Sequence, residues 1–203
     1  MLVEVNKMKK KTINSELVYL FAIIILSFSI DLMTIANMGL SAINGPAYIL
    51  SKITYLSSFI TGILYATMAD VWKIIFPFFQ NQYEICFQLR IIYFLIGFIL
   101  SAIAIALFYK SYLYPQIYDF FVQEMSKKYH LSLKVFKTGF DCIFLILSFI
   151  MSFMLFHGIV GIGIGTMLVA LFNGILIDFF KNFFDKHFVC IPKLTKLAEY
   201  LKL

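Results

Sequence analysis

Long apolar runs separated by short polar segments set the pattern of this chain, and the polar segments carry nearly all of its charge. Five runs, at about 17 to 37, 57 to 79, 89 to 109, 138 to 157 and 161 to 184, are each long enough to cross a hydrocarbon core, which takes roughly 20 helical residues. The stretch between the first two is different. It reads "NMGLSAINGPAYILS" from residue 37 to 51, placing Gly39, Gly45 and Pro46 as backbone interruptions and Ser41 and Asn44 as side chains able to satisfy the freed polar groups. In lipid, such an interruption survives only where it is buried in protein or borders a polar cavity.

Charge decides how this stretch is counted. If it stays on one side, the chain has five spans, and the basic N-terminus shares its face with Lys73 and Arg90 against eleven cations opposite. If it crosses as a short, broken or re-entrant segment, one face collects fifteen cations, from Lys7, Lys9, Lys10, Lys11 and Lys52 through the loop and tail lysines, and the other holds only Lys73 and Arg90. Because Lys and Arg near span ends concentrate on the cytoplasmic side, the six-segment count is the expected one, with both termini cytoplasmic. The predicted fold is therefore an all-α polytopic transmembrane bundle of six membrane segments, the second short or broken, with five full spans as the alternative. It divides into a basic cytoplasmic N-terminus at 1–16, a bundle at 17–184 and a cytoplasmic tail at 185–203. The run from Leu17 reads as a retained signal-anchor helix.

Composition agrees. Of 203 residues 62% are hydrophobic and 14% charged, with mean hydropathy +0.90, far to the membrane side of an ordinary soluble domain. The net charge of +6 accompanies no nucleic-acid motif, so the expected partner is a bilayer with anionic headgroups, with a homodimer or a membrane partner protein left open. Amphipathic helices are expected in the 111–137 loop, where Ile117, Phe120 and Phe121 share a face, and in the tail, where Leu194, Leu197 and Leu201 do. Each suits either an interfacial helix or a short helix packed on the bundle.

Few residues carry chemistry. Cys86, Cys142 and Cys190 are scattered, as are His130, His157 and His187, and no metal-ligand spacing, cofactor motif or catalytic constellation is present. Asp31, deep in "LSFSIDLMTIANMG", costs at least ~2.5–3.5 kcal/mol to place in a bilayer, which suits either a proton or substrate site or a structural carboxyl bonded to hydroxyl neighbours. Asp70 and Lys73 are three apart and form a structural pair. Asp141 and Asp178, near span ends, read as snorkelling or capping residues. In "HGIVGIGIGTMLVALFNG", Gly161 and Gly165 have the spacing of close helix contact, while Gly161, Gly163, Gly165 and Thr166 also suit an open helix start facing a ligand. A substrate or ion site is accordingly expected from Asp31, Asn37, Ser41, Asn44, Gly161, Gly163, Gly165 and Thr166.

The elements Ala36, Gly39, Ser41, Pro46, Tyr48, Leu50, Ser51 and Gly161, Ile162, Gly163, Gly165, Thr166, with Gly174 beyond, resemble those of the YczE/YitT-like family of small bacterial membrane proteins. The sequence departs from that pattern at Ala42 and Asp31. The resemblance implies a bundle in the bacterial cytoplasmic membrane and supplies no catalytic residues. The function expected from the residues is small-solute transport. The alternatives are a substrate-binding subunit of a multi-component transporter of the energy-coupling-factor type and a non-transporting accessory protein. No Walker A sequence is present, so active transport would draw on an ion gradient or a partner.

Overall fold

The computed structural model describes residues 11–36, 56–77, 86–113, 115–157 and 162–195. Six helices occupy most of these: α1 (Ser15–Ala36), α2 (Leu56–Ile75), α3 (Phe87–Phe108), α4 (Ile117–Lys128), α5 (Leu133–Phe156) and α6 (Ile164–His187). Two short strands, β1 (Lys11–Asn14) and β2 (Phe188–Ile191), flank them. Four helices, α1, α3, α5 up to Met154 and α6, are long and apolar enough to cross a membrane, and the chain is a membrane protein on that ground. α2 is 20 residues long but carries Asp70, Lys73 and several hydroxyls, and it is not among the four.

The ends of the helices come together through polar contacts. β1 runs directly into α1 and β2 directly out of α6, and the strands pair in parallel from Lys11 opposite Phe188 to Asn14 opposite Ile191. A two-stranded sheet this short has little stability of its own, so its neighbours must hold it. Lys110, just past α3, bonds Asp185 and the carbonyl of Phe188, with its ammonium 5.6 Å from the Phe188 ring. Glu16 Oε1 accepts from the Tyr112 hydroxyl at 3.0 Å and from the backbone N–H groups of Lys193 and Leu194 at 2.7 and 2.8 Å. Hence the start of α1, the end of α3 and the end of α6 lie together at what is called here the strand end.

α1 and α3 are antiparallel: Tyr19 meets Phe108 edge-on, the Ser29 hydroxyl donates to the carbonyl of Gly97, and Met33 clusters with Phe94. Gly97 permits this approach, since a Cβ there would lie 2.8 Å from the Ser29 carbonyl oxygen. α2, by contrast, runs parallel to α1. Tyr19 shares a hydrogen bond with Thr61, the Trp72 indole donates to Ser27 at 2.9 Å, and Phe28 packs on Phe76. Ala36 therefore lies at the end opposite the strands, while α2 starts at the strand end. Ala36 is about 25 Å along α1 from Tyr19 at 1.5 Å per residue.

Near the strand end the core is built from Tyr19, Ala22, Leu26, Ile105, Phe108 and Ile177, and towards the other end from Met33, Ala36, Phe94, Phe98 and Val169. α5 starts at the N-cap Ser132, whose hydroxyl accepts from Val135 N–H, and ends at His157 in the left-handed region, with φ 52°. It crosses α6 closely at Gly174, where a Cβ would meet Thr138 Oγ1 at 2.6 Å and the Lys134 carbonyl oxygen at 2.9 Å. The apolar outer faces of α5 and α6, including Ile146, Ile150, Phe153, Phe172 and Phe179, suit contact with lipid tails.

The expected spans at 17–37, 57–79, 89–109, 138–157 and 161–184 correspond to α1, α2, α3, α5 and α6 within a few residues. Two local features add to these expectations. Ahead of the expected tail helix, residues 188–191 form a strand, because Phe188, Val189 and Ile191 favour extended backbone and β1 offers a partner. In α4 the buried stripe is Asp119, Val122 and Ser126, while Phe121 stays exposed, so the helix packs on the bundle with a carboxylate inward. The proposed face through Leu197 and Leu201 lies outside the described residues.

Candidate functional site

Two buried polar groups stand out, one on each side of the bundle's middle. The first is Asp31 on α1, 5% exposed, with Oδ2 lacking any hydrogen-bond partner. Asp70 and Lys73 of α2 lie within electrostatic range of it. Their own pair, Lys73 Nζ to Asp70 at 3.2 Å, sits on one helical face as their spacing predicts.

The second group gathers at the strand end from three helices. α4 buries Asp119 and α5 buries Lys137 and Asp141, four residues apart and so one turn above each other on the same face. Lys137 Nζ lies 3.1 Å from an oxygen of each carboxylate, and all three side chains are only 1–2% exposed. The ring of Tyr118 sits 4.7 Å from the ammonium, and Tyr109 donates its hydroxyl to the Asp119 carbonyl at 3.3 Å. From α6, Asn173 brings its side chain to Asp141.

The cluster is unbalanced in both charge and hydrogen bonding. Two carboxylates face one ammonium, leaving one negative charge in excess. Lys137 donates to Asp119 Oδ1 and is ion-paired with Asp141 Oδ1 at the same distance, so the two carboxylates share one ammonium. Both Asp141 oxygens, Asp119 Oδ2, Thr138 Oγ1 and Asn173 Oδ1 are buried without a hydrogen bond of good geometry. Buried polar atoms are nearly always paired, so five such oxygens on three packed helices are unusual. On α4, burial pushes the Asp119 carboxyl above its ordinary range even though Lys137 draws it down. Burial likewise raises the Tyr118 hydroxyl well above its usual value, with the negative charge of Asp119 and Asp141 adding to the effect.

The expected site is only partly within view. Asn37, Ser41, Asn44 and Gly161 lie outside the described residues. Gly163 is the N-cap of α6, in extended backbone, and its N–H donates to Thr166 Oγ1 at 3.3 Å, while Gly165 and Thr166 are buried in the first turn. Asp31 on α1 and this first turn on α6 belong to helices that both pack against α3. The reading of Asp141 as a snorkelling or capping residue is corrected, since it is 3% exposed and faces Lys137 and Asn173. Asp178, in contrast, is outward and accepts from Asn182 at 3.2 Å. Lys137, assigned to a loop by hydropathy, belongs to the second turn of α5. Its spacing to Asp141 was the available signal.

A protein-family model described as a family of unknown function, DUF6198, matches residues 52–182. The chain belongs to the DUF6198 family. The DUF6198 segment contains Asp119, Lys137, Asp141 and Asn173, whereas Asp31 precedes it. Nothing in this match links the chain to the YczE/YitT-like proteins. No curated protein matches the chain. No solved structure matches it either.

Proposed function

We propose that the protein is a small-solute permease with six membrane crossings, its strand end facing the cytoplasm. The observation that carries the reading is the buried carboxylate of Asp31, in a helix apolar enough to span, with an oxygen left unpartnered. A carboxyl so placed costs several kcal/mol in lipid and is ordinarily retained for a substrate or ion pathway. The parallel course of α1 and α2 supports the crossing count. Successive parallel helices need a return passage between them, and six crossings put the start of α1 and the end of α6 on one side. The lysines at that end supply the orientation through their cytoplasmic preference.

The test uses proteoliposomes incubated with an isotope-labelled extract of bacterial small molecules, comparing wild type with Asp31→Asn. The expected result is one or a few labelled solutes accumulated by wild type, with a loss of at least about tenfold in the variant, the equivalent of 1.4 kcal/mol. Uptake identical in wild type, variant and empty liposomes would remove the permease reading and favour an accessory role.

A further inference from the structure

The cluster of Asp119, Lys137 and Asp141 belongs to no part of the Asp31 site, and its chemistry points to a ligand of its own. We propose that it is a proton-binding site that takes up and releases one proton per chain, carried on Asp141. The proposal rests on the permease reading only for the use of that proton, which would be the coupling ion of transport.

Three features lead to this ligand. The excess of one negative charge has to be neutralised, because a carboxylate in a medium of low polarity without compensation is very costly. Asp119 accepts the hydrogen bond from Lys137 and has the Tyr118 and Tyr109 hydroxyls beside it as further donors, whereas Asp141 has only its ion pair with the same ammonium and the Asn173 side chain. The proton therefore adds to Asp141: an O–H bond forms on a carboxylate oxygen, and the cluster passes from a net charge of −1 to neutral. Beside it, Asn173 Oδ1 is a buried acceptor without a donor, and a protonated Asp141 can supply one. A metal ion fits less well. The ammonium of Lys137 occupies the position between the carboxylates, 3.1 Å from each, and no group of three or more Asp, Glu, His and Cys side chains able to hold a metal ion is present among the described residues. The groups facing Asp141 are Lys137 on its own helix, Asp119 and Tyr118 on α4, Tyr109 at the end of α3 and the uncharged Asn173 on α6. None of these but Lys137 brings a positive charge.

The proton can be seen directly by infrared spectroscopy of the purified full-length protein in lipid nanodiscs as pH is stepped. Wild type should show a protonated-carboxyl C=O band that appears on acidification and is absent from Asp141→Asn. Asn173→Leu, which leaves every charge in place, should shift the band's frequency by removing the acceptor, and it keeps the test open if Asp141→Asn fails to fold. A band untouched by both substitutions would overturn the assignment. So would its loss from wild type when sodium replaces choline at fixed pH, which would make the cluster an alkali-ion site. No solute is needed for this measurement, so a negative result in the Asp31 flux experiment leaves it standing, and the reverse also holds.

Discussion

Removing the ammonium of Lys137 tests whether the buried cluster is held by charge. Lys137→Met keeps much of the aliphatic stem but leaves Asp119 and Asp141 facing each other in a site that is almost fully enclosed. Breaking a buried ion pair by deleting one partner costs about 3–5 kcal/mol, because the remaining charge keeps its desolvation penalty. A matched control is available on α4, where Lys127 lies 2.7 Å from Glu124 with side chains 62% and 48% exposed. Lys127→Met should cost only about 0–1 kcal/mol, since solvent screens that pair. The distance in the control is shorter, so proximity does not account for the difference between the two expectations. Equilibrium unfolding of each variant in mild detergent with added sodium dodecyl sulfate gives the comparison. The deficit of Lys137→Met should shrink as pH falls, because protonated carboxyls no longer need a cation. Adding Asp119→Asn and Asp141→Asn to Lys137→Met should recover most of the loss. Equal losses for the two lysine variants, a deficit that does not change with pH, or a triple variant no more stable than Lys137→Met would each refute electrostatic pairing as the source of stability.

Two further outcomes follow from the packing and the topology. Gly97→Ala should lose about 1–3 kcal/mol, since its Cβ would stand 2.8 Å from a backbone oxygen and 2.9 Å from Met33 Cγ. Gly139→Ala, with nothing within 4 Å, should be neutral or gain up to about 1 kcal/mol from helix propensity, and thermal unfolding in detergent checks both. The native cysteines report sidedness. Cys86 caps the start of α3, at the end opposite the strands, and Cys190 lies in β2, so in single-cysteine variants a membrane-impermeant maleimide should label Cys86 in intact cells and Cys190 only once the membrane is opened. Labelling of both from the same side would refute the proposed topology.

How far the sequence could be read depended on whether a signal was local. α1, α2, α3, α5 and α6 were legible because a run of about 20 apolar residues is a property of one segment. The parallel course of α1 and α2 was also within reach: the count of fifteen cations against two already implied it, and the contacts of Tyr19 with Thr61 and of Ser27 with Trp72 show the two helices running in the same direction. The close glycine contacts were less accessible. The spacing of Gly161 and Gly165 drew attention to one end of α6, whereas close approaches occur at Gly97, lone in α3, and at Gly174 in the middle of α6, each set by a partner far along the chain.

The charged cluster was missed for a physical reason of the same kind. Hydropathy places the start of the fourth apolar run at 138, because the first turns of α5 contain Lys134 and Lys137, and a lysine at a span border ordinarily snorkels to water. Here the border is covered. α4 lies over it and inserts Asp119, so the ammonium that would reach for solvent finds two carboxylates and the Tyr118 ring instead. Asp141 then reads as a capping or snorkelling residue only while α4 is left out of account. Four-residue spacing between Lys137 and Asp141 could have indicated a pair, but one lysine with one aspartate is neutral and needs nothing more. The consequence for function arises from the third member, contributed by a loop helix 18 residues upstream of Lys137, which turns a neutral pair into a buried site with a charge to spare.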